Sequence, residues 1–388
     1  MAVTPNASAL NVQQWDKTLW REYVRDSGFK PYMTGDNNII VPKRQLVDGG
    51  QVINIPFTPK LVGDGVLDAN TLRGNEEAIS FYNDAVTVRY LRHAVSVTRQ
   101  DIQFYNFDLR AAARGQIKDW AINRMRADII GQLLSIRAST GSGANSLYGK
   151  ITSSSNGPVI LAANSAGAVV TINGESVTSA SEADKDTWLT ANADRVLFGA
   201  LRSNASSNDH STSLGNCDTT ADTMRVSIVE LAKRMAKQAN PQIKPLRVDG
   251  SGKEFYVMFV PTRAMRDLRN DTTLQNFNVN ARPRSVDDNP IFNGGDMLLD
   301  NVLIVEIPEL PIIYQVGASS ADVAPCFLCG QEALGYALGE DFTTIADAFD
   351  YEFEQGISSR ELRAFKKLHY NGIQHGVVTV YVTASADA

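Results

Sequence analysis

Cys326 and Cys329 form a CxxC pair, a spacing that redox and metal sites use, but the pair sits inside the apolar run CFLC without a second pair. Both read more simply as small buried hydrophobes. The four histidines, His93, His210, His369 and His375, have no metal-ligand spacing, and HExxH does not occur. Gly143 to Lys150 reads GANSLYGK, one residue too long between its glycines for a phosphate loop, with Ile151 where Ser or Thr should follow. No GxSxG elbow is present. The oxygen-rich stretch Asp64 to Glu77 lacks the acidic alternation of a calcium loop and reads as solvated. Glu306, Glu309, Asp347, Asp350, Glu352 and Glu354 likewise read as solvated faces. The sequence therefore offers no catalytic, cofactor-binding or metal-ligating set, and an enzyme is not expected.

The totals bound the rest. A chain of 388 residues exceeds one usual hydrophobic core, so two or three sub-domains are expected. The 43% hydrophobic and 21% charged content is that of an ordinary soluble protein. The opening MAVTPNASALNVQQW lacks a basic segment followed by an apolar core, and no run approaches the length of a membrane helix. Three cysteines cannot build a disulfide framework. These features predict a protein made and used in a cytoplasm. A formal net charge of -6 argues against tight, sequence-independent nucleic-acid binding, which needs Lys and Arg on phosphates. A protein that merely encloses nucleic acid has no need of that attraction.

The longest proline-free periodic stretch, Asp101 to Ala138, predicts one long helix. Ile117, Ala121, Ile122, Met125, Ile129, Leu133 and Ile136 fall on one apolar arc, and Leu109, Ala113, Trp120, Ile130 and Leu134 on a second. Asp108, Asp119, Arg126 and Arg137 lie between them. Asn106 or Asp108 is its N-cap, and the Ser139–Gly143 run ends it. Two arcs require cover on both sides. Ile129 is expected in the core, and Trp120 beneath an arm or loop, a neighbour's included.

Before this helix, residues 1–44 read as an arm with short helices, its Trp15 and Trp20 docking on this chain or another. Val52, Ile53, Ile55 and Phe57 predict a strand, and Ala85 to Val97 a longer one. Between them Gly63, Gly65, Asn70, Gly74 and Asn75 make a polar, glycine-rich tip. An isolated two-stranded ribbon is marginally stable, so this one should be held by what it touches. After the helix, Ser139 to Asn216 reads as a surface insertion with short apolar runs at Val159–Leu161 and Val169–Ile172, and Asp194–Gly199 (DRVLFG) as its ordered part. A helix over Thr220–Ala239 follows, then a strand over Phe255–Val260 and a short helix from Pro261 through Leu268. A turn at Asn289–Gly295 leads to a strand over Asn301–Pro308. Residues 326–338 read as a third buried segment, 351–370 mix strand and helix signals, and Val377–Val382 form a last β-branched strand. The class is α+β.

The order of these parts is more specific than any one of them. With Arg92-His93-Ala94-Val95 before the helix, Asp194–Gly199, Tyr256–Pro261 followed by Arg266-Asp267-Leu268-Arg269, and Asn289-Pro290-Ile291-Phe292 followed by Val302–Glu306, the chain resembles the major capsid proteins of tailed bacteriophages. Specifically, it resembles the phage N4-like capsid family with the HK97-like fold. The resemblance implies an N-terminal arm at 1–44, an extended loop at 45–98 and a peripheral domain with its spine helix at 99–138. It further implies a surface insertion at 139–219, an axial domain at 220–340, a return to the peripheral domain at 341–370 and a final axial strand at 371–388. Phe57, Leu61, Val66, Leu72, Arg73, Glu76 and Glu77 of the loop, with Trp15 and Trp20 of the arm, would form the assembly interface. The implied function is self-assembly into hexamers and pentamers of an icosahedral shell around double-stranded DNA, in the host cytoplasm and without a membrane or cofactor. Scaffold, portal and decoration proteins stay open as partners. A decoration, portal-associated or tube-forming phage subunit is the alternative.

Overall fold

The computed structural model describes residues 29–33, 35, 38–43, 50–63, 65–68, 71–100, 109–137, 145–147, 170–172, 175–177, 182–248, 254–280 and 297–386. Its principal strands are β1 (Ile40–Lys43), β2 (Val52–Phe57), β3 (Tyr82–Thr87), β4 (Arg89–Thr98), β5 (Val196–Phe198), β6 (Glu254–Val260), β7 (Met297–Leu299), β8 (Val302–Glu306), β9 (Val323–Cys329), β10 (Leu334–Phe349), β11 (Glu354–Lys367) and β12 (Val377–Thr383). The helices are α1 (Leu109–Leu134), α2 (Glu182–Ala191), α3 (His210–Gly215), α4 (Val226–Gln238), α5 (Thr262–Arg269) and α6 (Thr272–Asn280).

Two sheets organise these elements. A mixed sheet runs β7-β8-β6-β9-β12-β5, with Arg247–Val248 pairing on β6. Its central strands are apolar on both faces, so the two-residue side-chain period feeds two cores. Val257, Phe259, Phe327 and Tyr381 enter the core shared with α1, while Tyr256, Met258, Leu328 and Val380 meet α4 and α5 on the other side. The second sheet runs β1-β10-β11-β4, parallel between β1 and β10 and antiparallel elsewhere. α1 lies across β11 and β4 of this sheet.

α1 has 26 residues and is therefore about 39 Å long. Met125, Ile129 and Leu133 on one arc and Ile130 and Leu134 on the other are all buried. Each such side chain contributes about 1.5–3 kcal/mol on leaving water. Trp120 is half-buried, its ring stacked 4.6 Å from His93 of β4. The cover expected from an arm, loop or neighbour is at that point this chain's own strand.

Charge also crosses from the helix to the sheet. Asp128 on α1 is fully buried and paired with Arg363 of β11 at 2.9 Å and with Arg124 at 2.9 Å. Arg363 also holds Glu361 at 2.7 Å and lies over the Phe365 ring. Burial pushes the Glu361 carboxyl above its usual range, against the pull of Arg363. At the helix end, Lys367 donates from Nζ to the Leu133 carbonyl at 2.9 Å. α1 has no basic residue in its last turn, and β11 supplies a donor to one of its C-terminal carbonyls.

Several expectations need correction. The helix stops at Leu134, and Ser135–Arg137 instead pairs as a strand with Asn145–Leu147. The predicted strand over 85–97 divides at Val88, because β3 pairs with β2 whereas β4 pairs with β11. Residues 182–219 are not surface insertion: β5 edges the large sheet parallel to β12, and Trp188, Leu189, Phe198 and Leu214 are buried. The segment 326–338 belongs to two sheets, ending β9 and beginning β10. α6 lies between Leu268 and Asn289, where the sequence predicted no element. The expectations for Trp15 and Trp20, Asn106 and Asp108, Val159–Leu161 and the turn at 289–295 fall outside the described residues.

Ile129→Asp is expected to leave no soluble folded chain, because an unpaired carboxylate would be buried. Trp120→Ala should fold, losing less than the about 3–5 kcal/mol of a fully buried tryptophan. Equal losses of soluble yield and of circular-dichroism signal in the two variants would refute this ranking. Burial lowers the Lys367 pKa from 10.5 to about 7. The unfolded chain then binds the extra proton between those values, so stability should rise with pH across that window and fall as pH drops through about 7. Denaturant midpoints of Lys367→Met should lack this rise; an unchanged pH slope would remove the assignment.

Candidate assembly interface

β2 and β3 form an antiparallel ribbon from Val52↔Thr87 to Phe57↔Tyr82, with residues 58–81 as its outer part. Its root is packed. Ile53, Val86 and Val88 form a small core with Ala337 and Ala364, beneath the second sheet's first hairpin. Phe57 stacks on Tyr370 at 4.4 Å and meets His375 edge-on at 4.9 Å. Asp84, also buried, takes the Lys366 ammonium at 2.6 Å and accepts from the His369 amide at 2.9 Å. Val88 donates to the Gln51 carbonyl at 2.9 Å, where the chain leaves one sheet for the other.

Beyond the root, the contacts are local. The Glu77 carboxylate accepts from the amides of Val62, at 2.9 and 3.0 Å, and of Gly63, at 2.8 Å, tying the two limbs together. Those two amides hold its pKa below the usual carboxylate value although the group is fully exposed. Glu76 accepts from Gly74 at 2.7 Å, and Asn75 bonds back to Leu72 and Thr71. The glycines turn the backbone, with positive φ at Gly65 and Gly74.

The structure places the expected interface residues as follows. Phe57 and Val66 are half-buried, whereas Leu61, Leu72, Arg73, Glu76 and Glu77 are exposed; Ile129 is core and Trp120 a half-covered ring on β4. The sequence reading missed the ribbon's most exposed apolar side chains, Val62 at 78% and Leu67 at 74%, together with Ile79 and Phe81. It also missed the β10–β11 turn, where Phe349, Tyr351 and Phe353 are exposed. Their signal was present, since DAFDYEFE alternates acid and aromatic, but it was read for its carboxylates alone.

Cys326 and Cys329 are both buried on β9, three positions apart, so one enters each core and they cannot meet. Burial raises both thiols, Cys329 to about 12. Among the described residues no group of three His, Cys, Asp or Glu side chains is arranged to hold a metal, and none of the helices is long and apolar enough to cross a membrane. The DRVLFG stretch is structural. Arg195 is fully buried and donates to the carbonyls of Gln374, His375 and Pro241, joining β5 to the turn before β12. Gly199 has φ +62° and leaves room for Asp222, which accepts from the Ala200 amide at 2.7 Å.

Glu77→Gln should weaken the limb tie, read as faster hydrogen exchange at the Val62 and Gly63 amides with the root unaffected. Because the Glu77 pKa is lowered in the folded chain, the same loosening should appear in the native chain as pH falls below the ordinary carboxylate value of 4.5. Unchanged exchange at both amides in both experiments would rule out the tie.

Comparison with known proteins places this architecture. A family model described as phage capsid protein matches residues 3–386. The major capsid protein of Pseudomonas phage KPP25 is 26% identical over 390 residues, covering 95% of this chain and 94% of that one. The cyanophage Pam1 capsid superposes with a TM-score of 0.78 at 30% identity, covering 94% of each chain. The capsid of Ralstonia phage GP4 gives 0.66 at 20% identity, covering 93% of this chain and 92% of that one. With two sheets, a spine helix and a projecting ribbon in this order, the chain belongs to the phage capsid protein family and is a tailed-phage major capsid protein with the HK97-like fold.

Proposed function

We propose that this chain assembles into hexamers and pentamers of a closed icosahedral shell enclosing packaged double-stranded DNA. The observation that carries this reading is the 52–87 ribbon: rooted in the body by Phe57, Asp84 and Ile53, it carries Leu61, Val62, Leu67, Leu72, Ile79 and Phe81 in water. So many apolar side chains on one projection call for a covering partner. A heterologous contact of this kind closes rings or shells when its rotation permits. Each subunit is then held on several sides at once, which makes weak contacts collectively strong. The acidic net charge suits a container that encloses nucleic acid without gripping it. The role is structural and not enzymatic. On this reading assembly takes place in the bacterial cytoplasm, with scaffold, portal and decoration proteins as further partners.

Removing Gly63–Asn75 tests this directly. Glu77 already brings its limb to Val62, so the cut ends lie close and the subunit should stay soluble and folded. It should fail to give shells of normal size and stability by negative-stain microscopy and sedimentation. Normal, equally stable particles from the deletion would overturn the clasp. Open tubes or rings from the intact chain would favour the tube-forming alternative over a closed shell.

A further inference from the structure

The turn between β10 and β11 reads Asp347-Ala348-Phe349-Asp350-Tyr351-Glu352-Phe353-Glu354, with four carboxylates and no Lys or Arg. Tyr351 is completely exposed at 103%, and Phe349 and Phe353 are about half so. Asp350, Tyr351 and Glu352 have φ of 48°, 52° and 70°, three consecutive L-residues in the left-handed region. That conformation is unfavourable for such residues and is kept where the surroundings impose it. Phe353 closes the turn by donating its amide to the Asp350 carbonyl at 3.0 Å. The result is a fixed acidic knob with aromatic side chains outward.

A complementary surface lies at the root of the ribbon. Between β2, the segment Asn240–Lys244 and the segment Leu368–His375 is an open groove of about 890 Å³. Phe57, Tyr370 and Pro241 give it apolar walls, and Lys43, Lys60 and Lys244 line it as well. Its lining residues hold three lysines against one carboxylate, Glu332, which already faces His375 and Lys244 at 3.4 Å each. Lys60 is exposed on the ribbon itself.

We propose that the acidic aromatic knob of one copy seats in the lysine-lined groove of a second copy. The full exposure of Tyr351 shows that a chain's own groove does not hold its own knob. With Tyr351 fully exposed and Phe349 and Phe353 about half so, the three rings can bury about 300–500 Å² between them, about half of the roughly 800 Å² that each partner of a standard interface contributes. The charges supply register and orientation. Knob and groove are different surfaces, so the contact is heterologous and each copy offers one of each, which lets it propagate around a ring. The inference rests on the self-assembly reading above and names which parts of two copies meet.

The test uses the full-length chain carrying Tyr351→Cys and Lys60→Cys together, assembled and then oxidised with diamide. The three native cysteines are buried and should stay silent. A non-reducing gel should show dimers, trimers and higher species from the double variant and none from either single variant. Assembled particles without that ladder, or a product confined within one chain, would overturn the contact. If the double variant does not assemble, charge reversal decides. Asp350→Lys with Glu352→Lys should cut particle yield roughly tenfold or more, as removing a central contact does, and adding Lys60→Glu with Lys244→Glu should restore it. No loss, or no recovery, would overturn the contact. An intact chain that forms no particles would sink the shell reading and this contact with it, whereas particles without the ladder would sink this contact alone.

Discussion

The buried pairing of Asp128 with Arg363 is the constraint on which the subunit's geometry depends. It fixes α1 against β11, and β11 in turn is bonded to β10 on one side and β4 on the other. Removing one partner of a buried ion pair costs about 3–5 kcal/mol, more than burying one further aliphatic side chain contributes. Dispersion alone would hold α1 on the sheet but would tolerate sliding along it. A charged pair, with Lys367 capping the Leu133 carbonyl about one turn beyond, specifies the register.

From that fixed helix and sheet the projecting parts follow. β4 is an edge strand of the same sheet, and the chain enters it from the ribbon through Val88, so the direction of the ribbon is set by the sheet that α1 braces. The β10–β11 turn projects from the same two strands. Ribbon and turn are thus carried on one rigid platform while their apolar side chains stay in water. A subunit that must fold first and associate afterwards needs this division between a self-sufficient core and exposed contact surfaces.

The two readable periods explain what could be foreseen. Apolar residues at helical spacing announced α1, and the β-branched run Val377–Val382 announced β12, because both elements bury hydrocarbon on every face that matters. The ribbon's glycine-rich tip was equally plain. β11 was not, although Ile357, Ser359, Glu361, Arg363, Phe365 and Lys367 stand at every second position and are all buried. Four of those six are polar or charged, so the hydrophobic pattern that marks a strand is absent from a strand that is buried. Glu361 is held nearby by Arg363 and by Tyr336 of β10, but the other partners, Asp128, Gln132, the Leu133 carbonyl and the His93 carbonyl, are more than two hundred residues away. The burial of Arg195 is the same case, satisfied by carbonyls of residues 241, 374 and 375.

The sequence by itself determined the order of the parts, the α+β class, the spine helix and the projecting ribbon, and through that order the resemblance to phage capsid proteins. These rest on local propensity and periodicity, which each segment carries alone. The tertiary structure decided which sheet each strand joined, that 82–98 serves two sheets, that Cys326 and Cys329 point into opposite cores, and that the acidic turn at 347–354 carries aromatics in water and not merely a solvated charge. Those outcomes depend on partners distant in the chain, and only the folded packing determines whether a charge is paired and a ring is covered.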